Sequence, residues 1–297
     1  MGNSSINEIV YSSPSNQAVL HKTFTIFALG AGLVLCFSPL NSFNFMYTVP
    51  FNWSSPWPGT IGYLVVAVLI WWERKNLKEY HVDGAALAIF ILARPVETLY
   101  LALIRDHDTG MAFPSVFSLV GCGISLTLAL ALWRGGYLPL KLSWQPMYWI
   151  ISAIFSGIAV SIGLGWLYSF VTLPQNIFFL PGIDRIAKQT LAVFIYLLGN
   201  QVIIEETLLR GFLWGVLRQA GWKNMLIWLF QAVFGMICGI SLISSEPLSF
   251  WIIIPLATLI PAAFTWRSRS VAASMSMRAV LAGLIYWSAY FFAASRF

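Results

Sequence analysis

Charged residues are scarce in this chain, and their scarcity excludes most kinds of soluble protein. Of its 297 residues, 9% are charged and 59% are hydrophobic. An average soluble domain is about a quarter charged, so these charges are too few to cover a globule of this size. The mean hydropathy of +0.77 supports the same conclusion. We therefore predict an all-α fold, a polytopic transmembrane helix bundle whose first partners are membrane lipids.

Cysteine and histidine are also rare, with three of each. The cysteines are Cys36, Cys122 and Cys238. They lie far apart inside apolar runs, so they predict neither a disulfide framework nor a zinc ribbon. The histidines are His21, His81 and His107. They fall in the predicted tail or loops, and the zinc-protease pattern HExxH does not occur. We expect neither a bound metal nor a cofactor.

Nine apolar runs are candidates for membrane-spanning helices, which need about 20 apolar residues each. They cover 23–40, 59–72, 85–104, 112–133, 149–171, 187–209, 225–244, 249–266 and 271–294. The sixth keeps an apolar stripe at helical spacing to about residue 219, so we expect a long helix there. The chain then divides into a polar tail over 1–22, N-terminal transmembrane helices over 23–171 and a C-terminal membrane core over 187–294.

The basic residues predict how the bundle is oriented. With the N-terminus in the cytoplasm, eleven Lys and Arg fall in inside segments and four in outside segments, as the positive-inside rule requires. The inside residues are Lys22, Arg74, Lys75, Lys78, Arg134, Lys141, Arg210, Arg218, Lys223, Arg267 and Arg269. We therefore predict a cytoplasmic N-terminus. The net charge of +6 reflects this topology and does not indicate a nucleic-acid partner.

Three places carry charge within the predicted spans, where an ionisable group costs roughly 2.5–3.5 kcal/mol and is usually paired or functional. The first is in the third span, where Arg94 and Glu97 are three residues apart and share a helix face. They form either an internal ion pair that holds the bundle together or a contact with a substrate.

The second place is the doublet Glu205–Glu206 in the sixth span. Glu206 and Arg210 are four residues apart with the acid first, which is the favourable order for a helical ion pair. Glu205 points about 100° away, toward the face of Gln201 and Leu209, and has no cation at helical spacing. A lone carboxylate in an apolar site is a good proton acceptor near neutral pH. The alternative is that both acids only cap a cytoplasmic helix end.

The third place is Arg278, in the middle of the last span. No acid on its own helix can pair with it, so its partner must come from another span. Glu205 and Glu97 are the candidates. If the partner is Glu205, that carboxylate is clamped rather than free.

The segment around the doublet resembles the first motif of the CAAX prenyl protease and bacteriocin-processing family of membrane proteases, also called Abi proteins. That motif is a Glu doublet, three residues, Arg, usually Gly and a hydrophobic run. It matches Glu205, Glu206, Arg210 and Gly211 in EETLLRGFLWGVL. The resemblance covers roughly 187–294. It implies that Glu205 activates water and that Glu206 pairs with Arg210.

The later motifs of that family are only partly present. The second is Phe, three residues and His, and here Phe234 is followed by Cys238 where His is expected. The last is His, three residues and Asn or a similar residue, and here Arg278 and Ala282 stand in those places after Ser270. In the family, the His and Asn side chains hold the water and the developing oxyanion. The resemblance leaves Arg278 as the candidate anion stabiliser and Cys238 as a weak donor or a nucleophile without a His base.

Several functions therefore stay open. The resemblance implies either a glutamate-dependent intramembrane endopeptidase with altered catalytic groups or a pseudoprotease. A pseudoprotease would bind a membrane protein or a hydrophobic or lipidated peptide. From another class, Arg94, Glu97, Glu205 and Arg278 could line the polar path of a transporter. The third alternative is a structural subunit of a larger membrane complex.

Overall fold

The structure, a computed structural model, describes residues 16–37, 57–103, 116–138, 144–170, 183–240 and 242–294. These ranges are built from helices and turns and contain no strand, which confirms the predicted all-α fold. Residues 1–15 of the predicted tail, and His107, lie outside the described residues. Residues 16–22, which we also expected in the tail, are instead the first turns of helix α1.

Five helices form the N-terminal part of the bundle, each around one of the predicted apolar runs. They are α1 (Asn16–Phe37), α2 (Trp57–Trp72), α3 (Gly84–Leu103), α4 (Val116–Arg134) and α5 (Trp144–Tyr168). A short 3₁₀ helix, Leu77–Tyr80, lies in the connection between α2 and α3.

One long helix, here called the composite helix, runs over 183–219. It consists of α6 (Ile183–Leu197), α7 (Ile203–Glu206) and α8 (Trp214–Gln219), joined by π-helical turns at Leu198–Val202 and Thr207–Leu213. At about 1.5 Å per residue it is roughly 50 Å long, which exceeds the ~30 Å thickness of the hydrocarbon core. This length confirms that the sixth span continues as a helix to Gln219.

Four helices follow the composite helix. They are α9 (Asn224–Cys238), α10 (Leu242–Ser245), α11 (Ile254–Ser268) and α12 (Val271–Ala294), with a π-helical turn at Ser249–Ile253 before α11. The predicted seventh span, 225–244, is therefore divided, because α9 ends at Cys238 and α10 is a separate short helix.

The helices of this chain have the length and composition of an integral membrane protein. Six segments of the described residues are long and apolar enough to cross a bilayer. They are Val19–Phe37, Val116–Arg134, Met147–Tyr168, Thr190–Gln219, Ser249–Ser268 and Val271–Ala289. Gly59–Trp72 and Asn224–Cys238 are apolar but shorter, and α3 contains the Arg94–Glu97 pair. The total of nine spans and the cytoplasmic N-terminus stay predictions.

Small residues hold α5 closely against α12. A Cβ at Gly157 on α5 would lie 3.0 Å from the carbonyl oxygen of Met277, and a Cβ at Gly165 would lie 1.8 Å from Ser288 Oγ. Small residues let transmembrane helices approach in this way. The contact matters for the site because it fixes the position of α12, the helix that carries Arg278.

The connection between α2 and α3 packs on the last turns of the composite helix. A Cβ at Gly215 would lie 2.3 Å from Tyr80 Cδ1, and a Cβ at Gly211 would lie 3.2 Å from the Tyr80 carbonyl oxygen. Packing therefore explains the glycine of the Glu–Glu–xxx–Arg–Gly motif, because a larger residue at this position would push the connection away.

The same connection also contacts the turn before α12. His81 has a left-handed backbone with φ of 57°, and its carbonyl oxygen accepts a hydrogen bond from Val271 N (2.9 Å). Burial lowers the pKa of the His81 imidazole to about 4, and the neighbouring cations Arg218 and Arg269 also lower it. His81 is therefore neutral near pH 7.

Candidate active site

The Glu doublet lies on α7, the short segment of the composite helix between its two π-helical turns. Such turns are rare in proteins as a whole, but those that occur are often found at functional sites. Both acids lie in the protein interior, since Glu205 is 2% exposed and Glu206 is 0% exposed. The alternative that both acids cap a helix end in solvent is therefore wrong.

Glu206 pairs with Arg210, one turn further along the same helix, as the spacing predicts. Arg210 Nη1 donates to Glu206 Oε1, and both side chains are completely buried. Arg210 Nη2 also donates to the carbonyl oxygen of Thr258 on α11 (3.0 Å). The predicted ion pair between these two residues is therefore present, and the assignment of Arg210 to an inside segment stays a prediction.

Glu205 pairs with Arg278 on α12, which is one of the two partners considered for that arginine. Arg278 Nη2 lies 2.5 Å from Glu205 Oε2, and both side chains are 3% exposed. Gln201 Nε2 donates to the other carboxylate oxygen, Oε1 (2.7 Å). Arg278 Nη1 also reaches Glu206 Oε1 at 3.5 Å. Both oxygens of Glu205 therefore have donors, and one of those donors is a cation.

The cluster formed by Glu205, Glu206, Arg210 and Arg278 is electrically neutral. It contains two carboxylates and two guanidinium groups, linked in the order Glu205, Arg278, Glu206, Arg210. Buried charges are tolerated when they are paired and hydrogen-bonded. Removing one member would leave a charge without compensation, so each member depends on the others.

Cys238, where the family pattern has His, lies at the last turn of α9. The Glu205 carboxylate is close enough to interact electrostatically with the thiols of Cys238 and of Cys36 on α1. Phe234, the first residue of the second motif, packs edge to face on Phe37 at 5.5 Å between ring centroids. The structure thus brings α1 and α9 together beside the doublet.

Ser270 does not join this site. Its Oγ donates to Asp83 Oδ1 (2.8 Å) and accepts from Ala272 N (3.1 Å). It therefore stabilises the start of α12 against the α2–α3 connection.

A second buried polar cluster lies further toward the N-terminus of the composite helix. Arg94 Nη1 lies 3.1 Å from Glu97 Oε2, so the predicted internal ion pair is present. Asn200, in the first π-helical turn, accepts from Arg94 and donates to Glu97 Oε1. Gly199 permits this approach, since a Cβ there would lie 2.7 Å from Glu97 Cβ.

The sequence reasoning missed three polar contributors because it searched only for charges. They are Asn200, Gln231 and Thr258. Gln231 on α9 is 2% exposed, and its Nε2 donates to the Leu209 carbonyl oxygen beside the doublet (3.0 Å). Asn200 and Gln231 could have been identified as uncharged amides inside apolar runs. A backbone carbonyl such as that of Thr258 leaves no signal in the sequence.

Within the described ranges, no three His, Cys, Asp or Glu side chains are placed to hold a metal ion.

The chain is a helical membrane protein in which one long helix places a Glu doublet in the bundle interior. The doublet is paired with one arginine from the same helix and with one from the last helix. Residues 187–284 match the family model described as type II CAAX prenyl endopeptidase Rce1-like. The match includes the doublet, Cys238 and Arg278, and it confirms the predicted resemblance to the CAAX-protease family.

Two further comparisons gave no match. Neither the curated proteins nor the solved structures contain one that is similar to this chain at a significant level.

Proposed function

We propose that this chain is a CAAX-protease-like membrane protein that binds a membrane protein or a lipidated peptide without cleaving it. The observation that carries the proposal is the ion pair between Glu205 and Arg278, 2.5 Å apart and nearly inaccessible to solvent. A general base must be able to take a proton from water. Glu205 is instead held by a guanidinium group, which stays protonated in proteins.

The substitutions in the later motifs support the same conclusion. Where the family pattern has two His and an Asn, this chain has Cys238, Arg278 and Ala282. Losing one oxyanion donor slows such reactions about 10²–10³-fold, and losing a positioned acid–base group slows them about 10²–10⁴-fold. Together these losses remove most of the rate enhancement of a hydrolase.

The alternative of an active enzyme with altered groups depends on Arg278 as the oxyanion stabiliser. In the structure the charge of Arg278 is already compensated by Glu205, with Glu206 as a second acceptor. A guanidinium group in that state adds little attraction for a developing anion.

The contacts do not favour the transporter alternative. The four charges that would line a polar path form two neutral clusters instead. Arg94 and Glu97 form a direct ion pair, and Asn200 bonds to both of them. Glu205 on α7 pairs with Arg278 on α12. The partner class in our proposal follows the matched family model, which is described as a CAAX prenyl endopeptidase.

The test uses the full chain in lipid nanodiscs with a farnesylated CAAX peptide that carries a photoreactive group and a fluorophore. We expect photocrosslinking that an excess of unlabelled farnesylated peptide reduces, and no more cleavage than with Glu205→Gln. An unfarnesylated peptide is the control for the lipid group.

Two results would contradict the proposal. Cleavage by the wild-type chain that disappears in Glu205→Gln would show an active glutamate protease. Crosslinking that neither farnesylation nor competitor changes would remove the support for lipidated-peptide binding.

A further inference from the structure

A polar cavity opens between α1, the α2–α3 connection and the last turn of the composite helix. Its volume is about 250 Å³, several times the ~30 Å³ that one water occupies in the liquid. We call it the Glu73 pocket, after the acid at its floor. None of its lining residues belongs to the Glu205–Arg278 cluster, and the proposed function does not use it.

Glu73 is the most buried charged group of this pocket, at 2% exposure. Its Oε1 accepts from Thr25 Oγ1 and lies 3.1 Å from His21 Nε2. Its Oε2 accepts from Asn76 Nδ2 (3.3 Å). The Tyr80 hydroxyl is a further hydrogen-bond partner of this carboxylate. An ionised carboxylate can accept about four hydrogen bonds, so Glu73 is firmly positioned and its negative charge stays at the floor of the pocket.

The remaining polar groups of the pocket are mainly acceptors. Tyr80 is 3% exposed. Its burial raises the pKa of the hydroxyl to about 12, and the charges of Glu73 and Glu79 act in the same direction. Gln219 Nε2 donates to Glu79 Oε2 (3.0 Å) and to Tyr80 Oη (3.4 Å). The amide donor of Gln219 is therefore already used, whereas the exposed carboxylate of Glu79 keeps free acceptor sites.

The charges of the lining favour a cation. Two carboxylates, Glu73 and Glu79, face the ammonium group of the exposed Lys22 at the rim and the imidazole of His21, whose Nε2 lies 3.1 Å from Glu73. Because Glu73 lies deeper than Lys22, the floor is negative and the rim is positive. A ligand that carries a cation at its end and an anion a few ångströms behind it matches this order.

Exposed apolar residues of α1 border the pocket. Ile26, on its wall, is 49% exposed, and the next residue, Phe27, is 74% exposed. Both lie on α1, within the span Val19–Phe37. Exposed apolar residues of α1 therefore lie directly next to the charged rim formed by Lys22.

We propose that the Glu73 pocket binds the phosphoethanolamine headgroup of a phospholipid, with the ammonium group at Glu73 and Glu79 and the phosphate at Lys22. The acyl chains lie along Ile26 and Phe27. A primary ammonium has three N–H donors for the acceptors at the floor. A choline headgroup has no N–H, and its usual recognition needs a cage of several aromatic rings, whereas Tyr80 provides the one phenol ring of this lining.

The experiment measures headgroup preference on the full chain purified in detergent. Phosphatidylethanolamine or phosphatidylcholine with the same acyl chains is titrated, and retained lipid is counted by native mass spectrometry. A ligand that binds only the folded state also raises the unfolding temperature. We expect about a tenfold preference for phosphatidylethanolamine, the size of one hydrogen bond to a charged group.

Three variants of the pocket and one control variant make the result specific. Glu73→Gln keeps the shape of the floor and removes its charge, so the preference should disappear. Glu79→Gln and Lys22→Gln change exposed residues, and each should reduce the preference several-fold. Glu246→Gln, whose carboxylate accepts from Tyr168 and Ser249 far from the pocket, is the matched control and should keep it.

The lipid is distinguished from a soluble source of the same headgroup with glycerophosphoethanolamine as competitor. Weak competition, at concentrations well above those of the lipid, supports a membrane lipid as the ligand. Equal affinity for the competitor would overturn the lipid assignment. Equal retention of the two lipids by the wild-type chain, or a preference that survives Glu73→Gln and Glu79→Gln alike, would overturn the proposal.

Discussion

Replacing Arg278 with Met should destabilise the fold strongly, because it removes the cation that neutralises Glu205. The carboxylate would keep only the amide donor of Gln201 (2.7 Å) in a site where it is 3% exposed. Breaking a buried ion pair by removing one partner costs about 3–5 kcal/mol. For a chain of this size that corresponds to a fall of about 10 °C in Tm.

A double-mutant cycle separates this pairing from general damage to α12. Glu205→Gln removes the charge that Arg278→Met leaves uncompensated, so the double variant should be more stable than Arg278→Met alone. We expect a coupling energy of about 2–3 kcal/mol, within the range for residues in one ion-pair network. Arg134→Met, which removes an exposed arginine at the end of α4, is the control and should change stability by less than about 0.5 kcal/mol.

Thermal unfolding in nanodiscs, followed by tryptophan fluorescence, compares the four variants with the wild-type chain. The reasoning is refuted if Arg278→Met behaves like Arg134→Met, or if the effects of Arg278→Met and Glu205→Gln simply add.

Three more predictions use the same assay. Gly215→Ala should cost about 1–3 kcal/mol because its Cβ would lie 2.3 Å from the Tyr80 ring, whereas Gly163→Ala, with nothing within 4 Å, should be neutral or stabilising. His81 has a pKa of about 4 in the fold against a reference of 6.5. Up to about 3 kcal/mol of stability is therefore present above pH 6.5 and is lost as the pH falls toward 4. His81→Asn should flatten this dependence of stability on pH. Glu206→Gln should cost about 3–5 kcal/mol, since Arg210 has no access to solvent; a loss below 1 kcal/mol would contradict the described pairing.

The contacts that sequence predicted best are those within one helix. The Glu206–Arg210 and Arg94–Glu97 pairs follow from spacings of four and three residues, which place side chains on one face whatever the rest of the bundle does. The extension of the sixth span to Gln219 followed from its periodicity for the same reason.

Contacts between helices were less accessible to sequence reasoning. The partner of Arg278 stayed open between Glu205 and Glu97, because the choice depends on how α12 packs against α5 and the composite helix. Asn200 was overlooked, although it joins Arg94 to Glu97, because an uncharged amide does not interrupt an apolar run. The end of α9 at Cys238 was missed for a related reason, since apolar residues continue beyond it.

An experimental structure of the chain in a lipid nanodisc, at a resolution that shows side chains and ordered water, would show directly whether Arg278 holds Glu205. We predict that Arg278 Nη2 lies within hydrogen-bonding distance of Glu205 Oε2, with Gln201 on the other carboxylate oxygen. A water molecule bound to Glu205, with Arg278 turned away from it, would contradict the account and indicate a working hydrolase.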